Sequence, residues 1–226
     1  MNSPESTSAP VGLIGGTGEE GRGIVLRLAQ ADVPVLIGSR SVERARNLAA
    51  ELNSLVGGQR IEGGANETLL TRCEILFLTV PFAHAAAVVD SMADRLRAGQ
   101  ILVDVTVPLY FEKGPRLLQL PEGSGSLHLR SRLPSEVAMV ATFKTLPAHL
   151  LANLGEPLDC DEFVAADSPE ARDRVMAILT RIPSVRWINA GPLRYASALE
   201  GMTLLAVSLN RRFKSREGRY HFLGID

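Results

Sequence analysis

Three features of the sequence predict an α/β fold built on a doubly wound parallel sheet. Short, almost wholly apolar runs, such as Val11–Ile14 and residues 74–80, alternate with segments of helical period. The runs lack a polar alternation, as strands buried on both faces do. The first run passes directly into a glycine-rich turn, VGLIGGTGEEGRG, that opens a helix. Such alternation gives βαβ units with right-handed crossovers, hence a Rossmann-type sheet with helices on both faces. A smaller C-terminal α/β substrate domain is expected to complete it. The expected division is a disordered tail over 1–10, a dinucleotide-binding domain over 11–135 and a second domain over 136–226.

Each element has a local reason. In the turn, Gly16-x-Gly18-x-x-Gly21 fits the dinucleotide fingerprint. Gly16 is assigned the tight turn, Gly18 the close approach of a pyrophosphate and Gly21 the close packing of helix on strand. The helix N-terminus, with Thr17, Glu19 and Glu20 beside it, offers unpaired N–H groups and a positive dipole end to phosphates. Glu19 and Glu20 favour that end through their charge. Ile24, Val25, Leu28 and Ala29 carry the helical spacing. Residues 35–37 read as a second strand. Ser41 is a plausible N-cap for a helix over 42–55, which Gly57-Gly58 stops. A strand near 60–62, a helix over 66–72, a strand over 74–80, an alanine-rich helix over 83–96 and a strand over 100–105 follow. The pattern breaks down over 109–135, where EGSGS at 122–126 reads as a flexible loop and disorder is the expectation. Order returns with strands near 137–143, 163–165 and 185–188. Helices are expected at 148–152 and 169–182, the latter capped by Ser168 with Pro169 in its first turn. A long apolar helix over 193–213 closes the fold. Its face of Leu199, Met202, Leu205, Ala206 and Leu209 suits a core or a dimer interface, and an irregular tail ends the chain.

Composition narrows the function. The 226 residues are 46% hydrophobic and 22% charged with a net charge of −1, which leaves no electrostatic footprint for nucleic acid or an anionic membrane. No run is long enough to span a bilayer. Residues 1–10 lack a basic start and an apolar core, so they do not read as a secretory signal. Cys73 and Cys160 have no metal-ligand spacing and read as buried free thiols of a reducing cytoplasm. No metal site, nucleophile elbow or triad is evident.

The end of the second strand selects the dinucleotide. An NAD enzyme carries Asp or Glu there, about 20 residues beyond the glycine turn, to bind the ribose hydroxyls. This chain reads Gly38-Ser39-Arg40. A hydroxyl and a cation suit a 2′-phosphate, which Arg40 can meet with a planar fork, and Arg44 adds a second cation. The expected cofactor is NADP.

Taken together, the motifs resemble a known family. Gly15-Gly16-Thr17-Gly18, then Ile37-Gly38-Ser39-Arg40, then the apolar strand closed by Val80-Pro81-Phe82-Ala83-His84-Ala85, is similar to the F420-dependent NADP oxidoreductases. Thr145-Leu146-Pro147-Ala148, Leu151-Ala152-Asn153-Leu154 and Asn189-Ala190-Gly191-Pro192-Leu193 extend the likeness over nearly the whole chain. The resemblance implies hydride transfer between NADP(H) and the deazaflavin coenzyme F420 as co-substrate, in a cleft between two domains of a cytoplasmic homodimer. It places Thr17, Gly18, Glu19 and Glu20 at the pyrophosphate. Ser39, Arg40 and Arg44 fall at the 2′-phosphate, and Val80 and His84 beside the cofactor. It sets the deazaflavin against Thr142, Lys144, Thr145, Leu146 and Pro147. Lys144, where the family carries His or Asn, either stabilises charge on the substrate or is a surface lysine. His84 is a polar candidate near the nicotinamide, although a structural histidine is the alternative. His128 and His149 read as structural or exposed. Asp226 stands where the family tends to be basic. Two other functions fit the nucleotide half: an NADPH-dependent reductase of another acceptor (flavin, quinone or imine), or a non-catalytic NADP-binding module.

Overall fold

The computed structural model describes residues 9–225, so the expectations for residues 1–8 and for Asp226 lie outside it. The elements are β1 (Val11–Ile14), α1 (Glu19–Gln30), β2 (Val35–Ser39), α2 (Val42–Val56), β3 (Ile61–Ala65), α3 (Asn66–Arg72), β4 (Ile75–Leu78), α4 (Phe82–Met92) and β5 (Ile101–Asp104). There follow β6 (Leu109–Phe111), β7 (Pro115–Leu117), α5 (Gly125–Arg130), β8 (Ala138–Ala141), α6 (Ala148–Ala152), β9 (Cys160–Ala166), α7 (Pro169–Leu179), β10 (Val185–Pro192) and α8 (Ala196–Phe213).

The main sheet has the order β10-β9-β8-β5-β4-β1-β2-β3. From β3 to β8 all neighbours are parallel. This is the doubly wound order, with the direction of winding reversing between β1 and β4. β8 pairs with β5 and so continues the sheet begun by residues 11–104. β9 then runs antiparallel to β8, and β10 parallel to β9 with an irregularity between Asn189 and Gly191.

Strand residues alternate between two cores. Leu13, Ile37, Phe77, Val103 and Val140 face α1, α2, α6 and α7. Ile14, Leu36, Leu76, Leu102 and Met139 face α3, α4 and α5. Both faces are covered, which is why the strands read as unbroken apolar runs.

Three positions fix how the helices lie. At Gly63 an added Cβ would fall 2.3 Å from the backbone of Ala45, so α2 lies directly on β3. Gly63→Ala should cost about 1–3 kcal/mol by overpacking; a denaturation midpoint equal to the parent's would disprove that approach. At Gly23 a Cβ would fall 2.6 Å from Leu151 Cβ, so α1 and α6 touch closely. One turn on, Arg27 is 2% exposed. Its guanidinium donates to the carbonyls of Leu150, Leu151, Asn153 and Glu156 at 2.6–3.0 Å. It satisfies the carbonyls that end α6 and ties the glycine-turn helix to the segment after β8.

The stretch over 109–135 is not the disordered loop its composition suggests. It forms the hairpin β6–β7 and the helix α5, whose N-cap Ser124 accepts from Leu127 N–H. Ser124, Gly125 and Ser126 are buried. The Gly125 and Ser126 N–H groups donate to the Glu200 carboxylate of α8 at 3.0 and 3.1 Å, and Ser126 Oγ donates to Asp104 Oδ2 at 2.6 Å. Small residues are required because a Cβ at Gly125 would lie 2.8 Å from Phe82. A composition typical of linkers thus serves a close, polar contact.

A 3-10 turn, Leu193–Tyr195, precedes α8. Only the first turns of α8 reach the core, through Ala196, Leu199 and Glu200. Leu205, Leu209 and Phe213 are exposed. No helix of the described residues is long and apolar enough to cross a membrane. Cys73 and Cys160 are free thiols, and burial pushes them up to about 11 and about 12.

Candidate active site

A cleft of about 770 Å³ opens beyond the carboxyl ends of the neighbouring strands β1 and β4. Its lining comes from the turn after β1 (Gly15, Thr17, Gly18), the end of β2 (Ser39, Arg40), the start of α2 (Arg44) and the turn after β4 (Val80, His84). Seven residues chosen from sequence, Thr17, Gly18, Ser39, Arg40, Arg44, Val80 and His84, therefore share one cavity. Pro81, from the motif that closes the apolar strand, also lines it, as do Asn66, Thr79, Val88 and Ser91, which carry no sequence signal of their own.

The glycines divide their tasks differently from the fingerprint. The left-handed residue is Gly15, at φ +77°, one position before the expected Gly16. A Cβ on Gly15 would strike Val80 at 2.3 Å. Gly16 is instead the surface on which Gly21 packs, since a Cβ at Gly21 would lie 2.7 Å from Gly16 Cα. The reason is that β1 ends at Ile14, so the chain must reverse at Gly15 before α1 can return across it. Above Gly18 the space is open, the nearest atom to an added Cβ being 3.9 Å away. That opening can admit a pyrophosphate at the start of α1.

At the other rim, Ser41 caps α2 by accepting from Arg44 N–H at 3.3 Å. Ser39 Oγ accepts from Ser41 N–H at 3.1 Å, which keeps the turn tight. Arg40 and Arg44 are exposed, one on each side of that cap. His84 is exposed in the first turn of α4, with its N–H on Pro81 O at 2.8 Å. It is thus not the packed structural histidine held as the alternative.

Glu20 departs from its expected role. Its Oε1 is fully enclosed and has no hydrogen-bond partner. Burial, then the charges of Glu162 and Glu19, raises its pKa to about 8, so it is mostly neutral at pH 7 and adds little charge to the helix end. Glu162 is buried on β9 and raised to about 7, chiefly by burial. A carboxyl whose folded pKa is raised stabilises the protein fully below its unfolded value of about 4.5, and that stability is lost as pH rises through the folded value. Glu20→Gln should therefore flatten the fall in Tm between about pH 4.5 and 8. Parallel curves for parent and variant would refute the assignment.

The segment after β8 is held from behind. Phe143 adopts φ +55° and stacks edge-on against Phe77 and Trp187. The Lys144 and Thr145 N–H groups and the Thr145 hydroxyl all donate to the Glu162 carboxylate. Lys144 is no surface lysine: its side chain is 0% exposed, Nζ lies 2.7 Å from Asp104 Oδ2, and it also donates to Thr106 O. The ammonium points into the protein, where it pairs with Asp104 and its charge also acts on Glu200. Thr142 is buried with an unpartnered hydroxyl, Leu146 is 6% exposed and Pro147 half-buried. His128 pairs with Glu122 at 3.1 Å, and His149 is half-buried.

The open space over Gly18, two exposed guanidinium groups at the end of β2 and the unpartnered Asn66 Oδ1 in the same cleft fit a phosphorylated dinucleotide. Fold and cleft together define an NADP-binding oxidoreductase of the Rossmann type. Comparison with known proteins narrows this. Residues 10–108 match the family described as NADP oxidoreductase, coenzyme F420-dependent. The chain is 34% identical over 212 residues to the F420-dependent NADP reductase of Methanothermobacter thermautotrophicus, covering 91% of each chain. It is 30% identical over 213 residues to that of Methanocaldococcus jannaschii, covering 91% of this chain and 94% of the other. A crystal structure from Arthrobacter sp. FB24, described as a candidate F420-dependent NADP-reductase, superposes with a TM-score of 0.79 at 23% identity, over 96% of this chain and all of that one. The chain belongs to the F420-dependent NADP reductase family.

Proposed function

We propose that this protein transfers a hydride between NADP(H) and the deazaflavin coenzyme F420. The observation that carries the reading is the single cleft joining Ser39, Arg40 and Arg44 to the glycine turn and to Val80 and His84, in a chain of this family. NADPH, when bound, supplies the hydride. The protein's part is alignment, because such a transfer needs ring stacking and proximity more than a strong acid or base.

In this reading the N–H groups of residues 16–21 and the start of α1 bind the pyrophosphate, with the Glu19 and Glu20 side chains beside it. Ser39, Arg40 and Arg44 bind the 2′-phosphate. Val80 and His84 border the nicotinamide end of the cleft. Leu146 and Pro147 offer an apolar wall to the deazaflavin, while Thr142, Lys144 and Thr145 hold that wall in place from the interior. Residues 136–226 then complete the substrate side of the cleft opened by residues 11–135.

The exposed Leu205, Leu209 and Phe213 on α8 support a homodimer closed through that helix. Light scattering should give twice the chain mass, and Leu209→Glu should shift it toward the monomer. The buried free thiols support a reducing, cytoplasmic setting. Adding NADPH to the oxidised deazaflavin with the protein should bleach the deazaflavin absorbance. Intact NADPH binding with no bleaching would reject F420 as the acceptor.

A further inference from the structure

The turn after β8 is held in a conformation that its backbone does not favour. Phe143 lies in the left-handed region at φ +55°, which a side chain of its bulk rarely adopts. Such strain persists only where the surroundings over-determine it, and it gathers at functional sites. Here the surroundings close in from three sides. The Phe143 ring is buried and packs edge-on against Phe77 and Trp187. The Lys144 carbonyl accepts from the Thr203 hydroxyl of α8 at 2.6 Å. The Glu162 carboxylate accepts from Lys144 N–H at 3.0 Å, from Thr145 N–H at 3.2 Å and from the Thr145 hydroxyl at 2.6 Å.

Glu162 is fully buried on β9 and is not among the residues that line the cofactor cleft. Packing alone gives no reason for an acid there, because an enclosed carboxylate is costly and an apolar side chain fills such a place as well or better. What the carboxylate adds is two oxygens that fix three donors, and with them two consecutive peptide N–H groups. Leu146 and Pro147 follow at once in the chain, so the place of that apolar wall depends on the turn.

We infer that Glu162 is a positioning residue for hydride transfer, which touches neither coenzyme and sets the place of the acceptor by holding residues 143–145. The inference rests on the reading above that seats the deazaflavin against Leu146 and Pro147. The single tryptophan of the chain, Trp187, is the register partner of Glu162 and stacks on Phe143 with ring centroids 5.1 Å apart, so its emission reports the turn. In the full-length protein with saturating NADPH, Glu162→Gln should lower kcat/KM for the oxidised deazaflavin by about 100-fold, the loss expected when reacting groups are displaced by about 1 Å. Calorimetry should show an unchanged Kd for NADPH, and the Trp187 emission should shift. Glu162→Asp keeps the charge and should recover part of the rate. Thr145→Val removes one of the three donors and should act in the same direction, more weakly; it carries the test if thermal unfolding shows that Glu162→Gln is not folded. A folded Glu162→Gln with the parent's kcat/KM overturns the inference. So does a loss of rate with unmoved Trp187 emission, which would give Glu162 a direct electrostatic role. A fall in NADPH affinity equal to the fall in rate also overturns it, since that marks a general loosening of the fold. No bleaching of the deazaflavin by the parent refutes the F420 reading, and the inference falls with it; that failure is told apart because it precedes any substitution.

Discussion

Arg40→Ala should raise the Michaelis constant for NADPH by roughly 10- to 100-fold, because a charge-assisted contact to phosphate is worth about 1.5–3 kcal/mol. The constant for NADH should not move, since NADH has no 2′-phosphate. The effect should shrink at high salt, because Arg40 is exposed on the cleft rim and screened by counterions. Arg44→Ala should act in the same direction and more weakly, as the second cation of the pair. Steady-state kinetics with both cofactors decide the matter. An unchanged NADPH constant in Arg40→Ala would show that the guanidinium does not reach the phosphate.

Lys144→Met should be the most damaging single change to stability. It leaves Asp104 buried, with donors from Thr106 N–H, Thr106 Oγ1 and Ser126 Oγ but without its cation. Breaking a buried ion pair from one side costs about 3–5 kcal/mol, which for a chain of this size lowers Tm by roughly 10 °C. The same change frees Glu200 from a charge that holds its raised pKa in check, so the loss should be larger at high pH. Adding Asp104→Asn should recover part of the loss by removing the orphaned charge. A Tm within a degree of the parent's in Lys144→Met would mean that the pair contributes nothing to the folded state. NADPH affinity should stay near normal, because Lys144 faces the interior and not the cofactor cleft.

The contrast between Arg40 and Lys144 marks where sequence reading succeeds. Arg40 is legible because its neighbours in the chain define its place: an apolar strand, then Gly38-Ser39, then the cation. Lys144 is not legible because its partner, Asp104, is 40 residues away and its burial depends on how β5 and β8 pair. The same holds for Gly125 and Ser126, whose partner Glu200 is more than 70 residues distant, and for Arg27, bonded to carbonyls more than 120 residues on.

By itself, then, the sequence determined the alternation of strands and helices, the glycine turn at the head of α1, the missing acid and added cations at the end of β2, and the likeness to one family. These are signals of short range: hydrophobic period, backbone freedom at glycine and the charge of adjacent side chains. Only the tertiary structure decided that Gly15 makes the turn and that the Glu20 carboxyl is enclosed, which raises its pKa. It also decided that the Gly-Ser stretch is buried on a carboxylate, that Lys144 faces inward, and that Asn66 and the glycine turn share a cleft. Desolvation and hydrogen bonding across the sheet set those outcomes, and both depend on distances between residues that the chain order does not contain.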